Sequence, residues 1–278
     1  MESPAEFVRL KDEFGWSLDS HLVFREGRWV SSANETSTAF SEQMQSAVAE
    51  AAENSWWYGT RNDLIFDLLE KVGATGPLWE VGSGSGLVAA ALEQRGQLVV
   101  AVEPGAGALL AGRRSITASV ESTLEQLQLP ERSLGAVGLF DVLEHLETPA
   151  ALLVEIRRVL AREGKLIVTV PALQWLWSDA DEDAGHRCRY SPSGLTSELT
   201  TAGFRVHEVG YRFASLVLPL ALGRTLPSRL GIRRSPDSVY KQIARNPGRL
   251  GALAARFERN VGSRLPFGTS VFAVASRS

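Results

Sequence analysis

One stretch of the chain places two carboxylates and an imidazole at helical spacing. Asp141, Glu144 and His145 occupy positions i, i+3 and i+4, so a helical turn that begins at Asp141 would project all three side chains from one face. His145 is then a candidate general base, because the ordinary pKa of imidazole lies near neutrality. Alternatively, the three side chains are ligands for a divalent cation. A structural role, in which Glu144 and His145 cap and orient a loop, is the third interpretation.

A glycine-rich turn stands between a short apolar run and a helical segment. Residues 78–81 lead into Gly-Ser-Gly-Ser-Gly at residues 82–86. Glycines let a backbone approach a ligand closely, and the following helix exposes free N–H groups at its N-terminus. A dinucleotide fingerprint that starts at Gly82 needs a third glycine at position 87, where Leu87 stands. The turn therefore predicts a nucleotide-type site but disfavours a nicotinamide dehydrogenase.

Glu103 ends the next apolar run, 21 positions after Gly82. A carboxylate at that place accepts hydrogen bonds from both hydroxyls of a ribose, although alone it is equally consistent with a solvated acid at a strand end. The glycine turn and Glu103 together indicate a nucleoside-binding site.

Alternating strands and helices must position these residues. Seven apolar runs are typical of strands, and helical segments separate most of them, which predicts an α/β fold with a mostly parallel sheet. The last run follows a long detour in the chain and is expected to form an edge strand. The predicted strands are residues 77–81, 97–103, 116–120, 136–141, 165–170, 204–213 and 270–276.

These motifs, in order, resemble the class I S-adenosylmethionine-dependent methyltransferases over roughly residues 56–211. The segments that carry the resemblance are EVGSGSG, VVAVE, LFDVLEHLETP, IRRVLAREGKLIVTVPA and GHRCRYSPSGL. The resemblance implies a Rossmann-like, seven-stranded, mostly parallel sheet with helices on both faces and an antiparallel last strand. It also implies S-adenosyl-L-methionine as cofactor and S-adenosyl-L-homocysteine as product.

The resemblance assigns the cofactor side of the site. Glu80, Gly82 and Gly84 would line the methionine and ribose part of the cofactor. Glu103 would take the ribose hydroxyls, and Arg61 would approach the cofactor carboxylate.

Two pairs of residues complete this side. Thr123 and Leu124 match positions that border the adenine, while Phe140 and Asp141 would face the amino-acid end of the cofactor or its methyl group.

The acceptor side is expected around His186, in a loop after the fifth strand of the family core. The loop follows the pattern D-E-x-x-G-H-x-x-R-Y of related sequences, with Cys188 where they often carry arginine. His186 either faces His145 as a second catalytic residue or acts as a structural latch. The residues predicted to contact the acceptor are Trp57, Tyr58, Trp175 and Tyr190, although ordinary packing also accounts for Trp57 and Tyr58.

The acidic–histidine cluster is similar to the E-x-x-E-H metal site of ubiquinone-type O-methyltransferases and of small-RNA 3′-end methyltransferases. Here Asp141, a shorter acid, takes the first place. A metal site of Asp141, Glu144 and His145 therefore departs from that pattern at one ligand, and no metal is the primary expectation.

The composition indicates which general class of protein this is. The 278 residues carry a net charge of −3, and 44% of them are hydrophobic, which is enough for a globular core. The single cysteine excludes internal disulfides and multi-cysteine metal sites. The first residues lack the apolar core of a signal peptide, so we expect a cytoplasmic protein.

Charge is distributed unevenly along the chain. From residue 211 onward there are twelve basic and two acidic residues, a net +10, which leaves −13 on residues 1–210. The basic segment either packs beside the acidic body or meets an anionic partner such as a phospholipid surface. The apolar run 213–223, 11 residues long, is too short to cross a bilayer. Few aromatic residues accompany the basic ones, which disfavours nucleic acid as a partner.

The sequence therefore predicts four regions and one main activity. The regions are an N-terminal hairpin and helix (1–55), the methyltransferase core (56–211), a basic and apolar helical lid or surface-binding insertion (212–266) and a final core strand (267–278). The predicted activity is methyl transfer to an O or N atom of a small-molecule or lipid-linked acceptor, with His145 as base. The alternatives are a metal-assisted methyltransferase acting on RNA and a catalytically silent cofactor-binding module.

Overall fold

A computed structural model describes residues 7–9, 12–13, 16, 22–32, 55–74, 76–232 and 265–278. The predicted N-terminal helix lies outside the described residues, as do eight of the twelve basic residues counted from residue 211. Among the described residues, no helix has both the length and the apolar character needed to cross a bilayer.

Strands and helices alternate along most of the described chain. The strands are β1 (Leu22–Arg25), β2 (Arg28–Ser31), β3 (Leu78–Val81), β4 (Val99–Glu103), β5 (Ala118–Glu121), β6 (Leu134–Phe140), β7 (Leu160–Pro171), β8 (Phe204–Arg212) and β9 (Ser270–Arg277). The α-helices are α1 (Trp56–Val72), α2 (Leu87–Glu93), α3 (Gly107–Gly112), α4 (Pro149–Val159), α5 (Asp179–Asp183), α6 (Pro192–Thr201), α7 (Val217–Leu220) and α8 (Leu226–Arg229). Short 3₁₀ turns occur at Glu125–Leu127, Leu143–His145, Gln174–Leu176 and Ala214–Leu216, and a π turn at Ala221–Thr225.

All the strands join one mixed sheet, in the order β1-β2-β5-β4-β3-β6-β7-β9-β8. The strands from β2 to β7 in this order are mutually parallel, and β9 runs antiparallel to both of its neighbours. The predicted Rossmann-like sheet with an antiparallel last strand is therefore confirmed. Apolar clusters on both faces bury the central strands, as expected for parallel strands.

The predicted number of seven strands is wrong, because the described part of the sheet has nine. The extra two are the N-terminal hairpin β1–β2, which extends the sheet beyond β5. Strand β2 pairs with β5 in parallel through Trp29 opposite Val120 and Val30 opposite Glu121. Arg28 at the start of β2 also forms an ion pair with Glu121, 2.5 Å between Nε and Oε2. The sequence pattern identified the hairpin but not the strand edge that it covers.

The expectation that the last strand lies at an edge is also wrong. Strand β9 is inserted between β7 and β8, and β8 forms the edge. The burial of β9 explains this position, because every residue from Ser270 to Ser276 is buried. A strand with apolar residues on both faces is stabilised most where neighbouring strands cover both of its edges.

The topology places the glycine turn at the centre of the sheet. Strand β3 lies between β4 and β6, so the chain builds outward from β3 first in one direction and then in the other. Ligands in open α/β sheets bind outside the carboxyl ends of the strands at such a switch point. The residues that follow β3, β4 and β6 therefore meet at one edge of the sheet.

Candidate functional site

The glycine loop between β3 and α2 has a backbone that favours glycine at three positions. Gly82, Gly84 and Gly86 have φ angles of 75°, 52° and 72°, in the left-handed region. The N–H groups of Gly82 and Ser83 donate to the carbonyl of Val102, at 2.8 and 3.2 Å. A side chain on Gly86 would collide with Ala111, whereas a Cβ on Gly84 would meet no other described atom within 4 Å, apart from its chain neighbours. Gly84 therefore presents its backbone to open space.

Glu103 ends β4 directly beside this loop. The N–H of Gly84 donates to Oε2 of Glu103 over 2.9 Å. Burial raises the pKa of Glu103, and hydrogen bonds from the N–H groups of Gly84 and Gly105 oppose that shift. The structure thus joins the two features that predicted a nucleoside site.

Glu80 lies within β3, just before the glycine loop. It is 2% exposed, and its Oε2 has no hydrogen-bond partner in the described part of the chain. Burial raises the pKa of Glu80 to about 8, although the charge of Arg61 acts in the opposite direction. A buried carboxyl oxygen without a partner is uncommon and fits a ligand-binding role.

Buried Arg61 of α1 and half-buried Asp141 form an ion pair at this edge of the sheet, 2.8 Å between Nη2 and Oδ2. Asp141 follows β6 in a left-handed conformation with a φ of 59°. The Arg61 guanidinium lies over the rings of Trp57 and Tyr58, at 5.6 and 5.9 Å from their centroids. The structure therefore groups four predicted site residues. Trp57 also packs against Phe213, a contact that the sequence did not predict.

Three further cofactor candidates occupy packed positions. Leu124 is fully buried in the larger apolar cluster, and Phe140 packs in the smaller one with Ile65 of α1. Thr123 is held in the turn after β5, where its N–H donates to Oε1 of Gln126 over 3.1 Å. Their predicted contacts with the cofactor remain predictions.

The two candidate catalytic histidines contact each other. The rings of His145 and His186 meet edge to face, with centroids 4.8 Å apart. Burial, with a smaller contribution from His186, lowers the pKa of His145 to about 4. His145 is therefore an uncharged imidazole at neutral pH.

Asp181 orients His186. Its Oδ1 lies 2.9 Å from Nδ1 of His186, and Arg189 donates to both carboxylate oxygens over 2.8 and 3.1 Å. Burial would raise the pKa of Asp181, but the hydrogen bonds from His186 and Arg189 lower it overall. Neither Asp181 nor Arg189 was predicted from the sequence to have a role of its own. Their spacing around His186 was the available signal.

Local sequence explains why Asp181 lies at this position. Ser178 caps α5, and both its N–H and its hydroxyl donate to Oδ2 of Asp181, three residues later. The N–H of Asp181 donates to the Ser178 side chain in return, and this reciprocal arrangement is a capping box, which fixes the first turn of a helix. Asp181 therefore holds the loop and orients the imidazole with the same carboxylate.

The helical turn predicted from Asp141 is absent. The 3₁₀ turn begins at Leu143, after the left-handed Asp141, so Asp141 faces Arg61. Instead, Glu144, His145 and His186 bring three potential metal-ligand atoms within 4.8 Å of one another. Glu144 is fully buried, and neither carboxyl oxygen has a hydrogen-bond partner among the residues described. Burial and the charge of Asp141 raise the pKa of Glu144 well above its ordinary value.

The last two acceptor candidates differ in exposure. Tyr190 is mostly buried in the larger apolar cluster, and its N–H donates to the carbonyl of Pro171 over 2.8 Å. Trp175 is 49% exposed in the 3₁₀ turn that follows β7. Tyr190 therefore anchors the loop, while Trp175 lies at its surface.

Comparison with known proteins agrees with this arrangement. Residues 79–168 match a family described as a methyltransferase domain. The match covers about a third of the chain and indicates a methyltransferase domain there. The matched range runs from β3 through β7 and includes the glycine loop, Glu103 and the turn at Leu143–His145. No curated protein is significantly similar in sequence.

Solved methyltransferase structures share the fold at low sequence identity. Phosphoethanolamine N-methyltransferase 2 of Haemonchus contortus, solved with S-adenosyl-L-methionine, is 13% identical with a TM-score of 0.56 over 86% of this chain, which spans only 58% of that protein. A geranyl diphosphate methyltransferase solved with GPP and sinefungin is 16% identical, with a TM-score of 0.51 over 80% of this chain and 79% of its own. A putative sarcosine dimethylglycine methyltransferase of Galdieria sulphuraria is 14% identical, with a TM-score of 0.53 over 78% of this chain and 85% of its own. At these identities the likeness concerns the fold.

Proposed function

We propose that this domain transfers a methyl group from S-adenosyl-L-methionine to an O or N atom of a small-molecule or lipid-linked acceptor. The observation that carries the proposal is the carboxylate of Glu103, held at the glycine loop by the N–H of Gly84. An ionised carboxylate at the end of β4 accepts hydrogen bonds from the two ribose hydroxyls of a nucleoside. The open face of Gly84 leaves room for that nucleoside beside the backbone.

The residues around the loop fit the other parts of this cofactor. Arg61 would supply a buried cation for the cofactor carboxylate, and Asp141, its ion-pair partner, would accept from the cofactor's ammonium group. The bound cofactor supplies a methyl group on a positively charged sulfur, which needs no further activation. The protein therefore has to exclude water and hold the acceptor atom at about 3–3.5 Å from that methyl, in line with the breaking bond.

One of the two histidines removes the acceptor proton in this proposal. Asp181 accepts the hydrogen bond from Nδ1–H of His186, which leaves Nε2 of that ring as a proton acceptor. His145 lies against this ring and is uncharged at neutral pH. The Asp181–His186 arrangement makes His186 the candidate base, because Asp181 holds the ring in one orientation. His145, the base expected from the sequence, then completes the wall of the acceptor site.

A metal-assisted form of the same reaction is the second candidate. Glu144, His145 and His186 together offer oxygen and nitrogen ligands, and the buried carboxyl of Glu144 lacks a protein partner within the described ranges. These residues fit a divalent cation, which would lower the pKa of an acceptor hydroxyl. Asp141, the first ligand expected from the sequence, pairs with Arg61 instead.

Calorimetry tests the cofactor site. We expect S-adenosyl-L-methionine and S-adenosyl-L-homocysteine to bind the unmodified chain, and Glu103→Gln to weaken both by about tenfold, because an amide donates as well as accepts. Glu121→Gln is the matched control, since Glu121 stands opposite Glu103 on the next strand and pairs with Arg28. Absence of heat with both ligands, or an equal loss in both variants, contradicts the proposal.

A product assay tests the acceptor side. S-adenosyl-L-homocysteine release is measured over a panel of hydroxyl and amine acceptors. His186→Ala is expected to lower release with unchanged cofactor affinity. Loss on adding a chelator, restored by Mg²⁺, assigns the metal-assisted form. Cofactor binding without product from any acceptor assigns a catalytically silent module.

A further inference from the structure

A row of exposed leucines follows the helical segment after β8. This segment is continuous from the 3₁₀ turn Ala214–Leu216 through α7 and the π turn to α8. Four leucines stand at intervals of four residues on it and are 66%, 58%, 48% and 67% exposed. We call them the leucine face: Leu218, Leu222, Leu226 and Leu230.

The irregular middle of the segment helps to align this face. In a regular α-helix, a step of four residues exceeds one turn, so a row at i+4 spacing drifts around the axis. The π turn Ala221–Thr225 has i→i+5 hydrogen bonds and holds more residues per turn, which offsets part of that drift. The leucines therefore form an apolar stripe in place of a spiral.

Polar contacts fix the other side of the segment to the acceptor loop. The Thr225 hydroxyl donates to the carbonyl of Leu176 over 2.9 Å, and the Ser228 hydroxyl donates to Oδ1 of Asp179 over 2.6 Å. Arg229 donates to the carbonyl of Trp175 over 2.9 Å. The protein thus holds the segment in one orientation, with the leucines outward.

The charged residues of the segment itself are of one sign. No acidic residue occurs from Arg212 to Pro236, whereas residues 1–210 carry a net −13. Within the described part of this stretch, Arg229 is exposed and Arg224 is partly so. An apolar stripe on a segment that carries arginines and no acidic residue suits an anionic lipid surface. A symmetric contact between two copies would bring the same arginines together, which is unfavourable.

We propose that the leucine face docks on the surface of an anionic lipid bilayer, with the segment lying in the plane of the interface. The docking would place Trp175 and the loop that carries Asp181 and His186 beside the lipid headgroups. A lipid-linked acceptor would then reach the histidines from the membrane side. This last step rests on the proposed function, whereas the docking itself does not.

Vesicle co-sedimentation tests the docking independently of methyl transfer. The whole chain is expected to bind phosphatidylcholine vesicles that contain about 30% phosphatidylglycerol in low salt, and to dissociate as salt is raised to about 300 mM. Vesicles of phosphatidylcholine alone should bind much less. The double variant Leu222→Gln/Leu226→Gln should lower binding about tenfold, because it removes apolar surface without changing the charge.

A matched variant controls for a general effect of lost surface hydrophobicity. Val23→Gln/Val154→Gln replaces two valines that are 47% and 59% exposed in β1 and α4, and it should bind vesicles normally. Absence of binding at every salt concentration, or an equal loss in both double variants, overturns the docking. So does a dimer that the leucine variant dissociates while neither protein binds vesicles, since the face would then join two copies.

A second measurement does not depend on the stability of the glutamine variant. With Cys188→Ser as background, a polarity-sensitive dye is attached at Leu222→Cys or at Val154→Cys. Anionic vesicles should shift the emission of the first dye to shorter wavelength and leave the second unchanged. Equal shifts, or no shift at position 222, contradict the insertion of the leucine face.

Discussion

Single residues at the site show how much a side chain's role depends on one backbone angle. Spacing alone placed Asp141, Glu144 and His145 on one face. The left-handed conformation of Asp141 turns its carboxylate to Arg61, and the turn that follows brings Glu144 and His145 to His186. A positive φ in a residue other than glycine is rare and has no reliable sequence signature. Sequence patterns therefore predicted the members of the cluster, and His186 opposite His145 as one of two alternatives, but not the pair of Asp141 with Arg61.

The lowered pKa of His145 predicts a loss of stability in acid. Between pH 6.5 and about 4, the unfolded chain binds a proton at this imidazole that the folded chain does not. The free energy of unfolding should therefore fall as the pH drops through this range, by about 2–3 kcal/mol from His145. His145→Asn should flatten that part of the profile, measured by urea unfolding at several pH values.

A matched histidine and an opposing carboxyl make this comparison specific. His207→Asn is the control, because it removes an imidazole on β8, away from the site. The raised pKa of Glu80 has the opposite effect on stability. The contribution of Glu80 to the free energy of unfolding is full in acid and is lost as the pH rises from 4.5 to about 8. Both variants retain Glu80, so its contribution cancels. Identical slopes in the two variants would falsify the assignment.

At the level of elements, two positions of the glycine loop are expected to differ in their effects on stability and on cofactor binding. In Gly84→Ala, the new Cβ meets no described atom apart from its chain neighbours. The substitution should therefore lower the free energy of unfolding by about 1–2 kcal/mol, from the left-handed backbone alone. In Gly86→Ala, the new Cβ would also collide with the Cβ of Ala111, at 2.7 Å. The free energy of unfolding should therefore be about 1–3 kcal/mol lower than in Gly84→Ala. Only Gly84→Ala should lose cofactor affinity out of proportion to its stability, since its Cβ enters the nucleoside site.

Thermal unfolding and calorimetry measure the two effects. We expect Gly84→Ala to remain folded and to bind S-adenosyl-L-methionine about tenfold or more weakly. Gly86→Ala should show the lower melting temperature and, where it is still folded, the smaller loss of affinity. The reverse order of affinities would place the nucleoside away from Gly84.

The sequence predicted elements better than their neighbours in the sheet. Every one of the seven predicted strands is present, because apolar runs bounded by turns are local signals. The position of β9 was predicted wrongly, at an edge, and the position of the hairpin in the sheet was not predicted. More than fifty residues separate β9 from β8 along the chain, and a longer stretch separates β2 from β5. Such pairings depend on which edges remain uncovered in three dimensions.

For the molecule as a whole, the sheet sets the order of local stability. Strand β9 has partners on both sides and apolar clusters on both faces, although it ends at the last residues of the chain. The hairpin β1–β2 instead lies at an edge, is joined to β5 by two residue pairs, and exposes most of β1. Amides that open only on global unfolding are found where burial and pairing are complete.

Hydrogen exchange followed by mass spectrometry should reveal this order. We expect a peptide covering Ser270–Arg277 to exchange among the slowest in the protein, together with β7, and a peptide covering Leu22–Ser31 to exchange much faster. Peptides from β8 serve as the internal control, because β8 is the partner of β9 but lies at the edge and should fall between the two. Fast exchange in β9 with slow exchange in β8 would mean that the last strand does not occupy the interior of the sheet. The strands whose carboxyl ends carry the glycine loop and the histidines would then not be stabilised by pairing with β9.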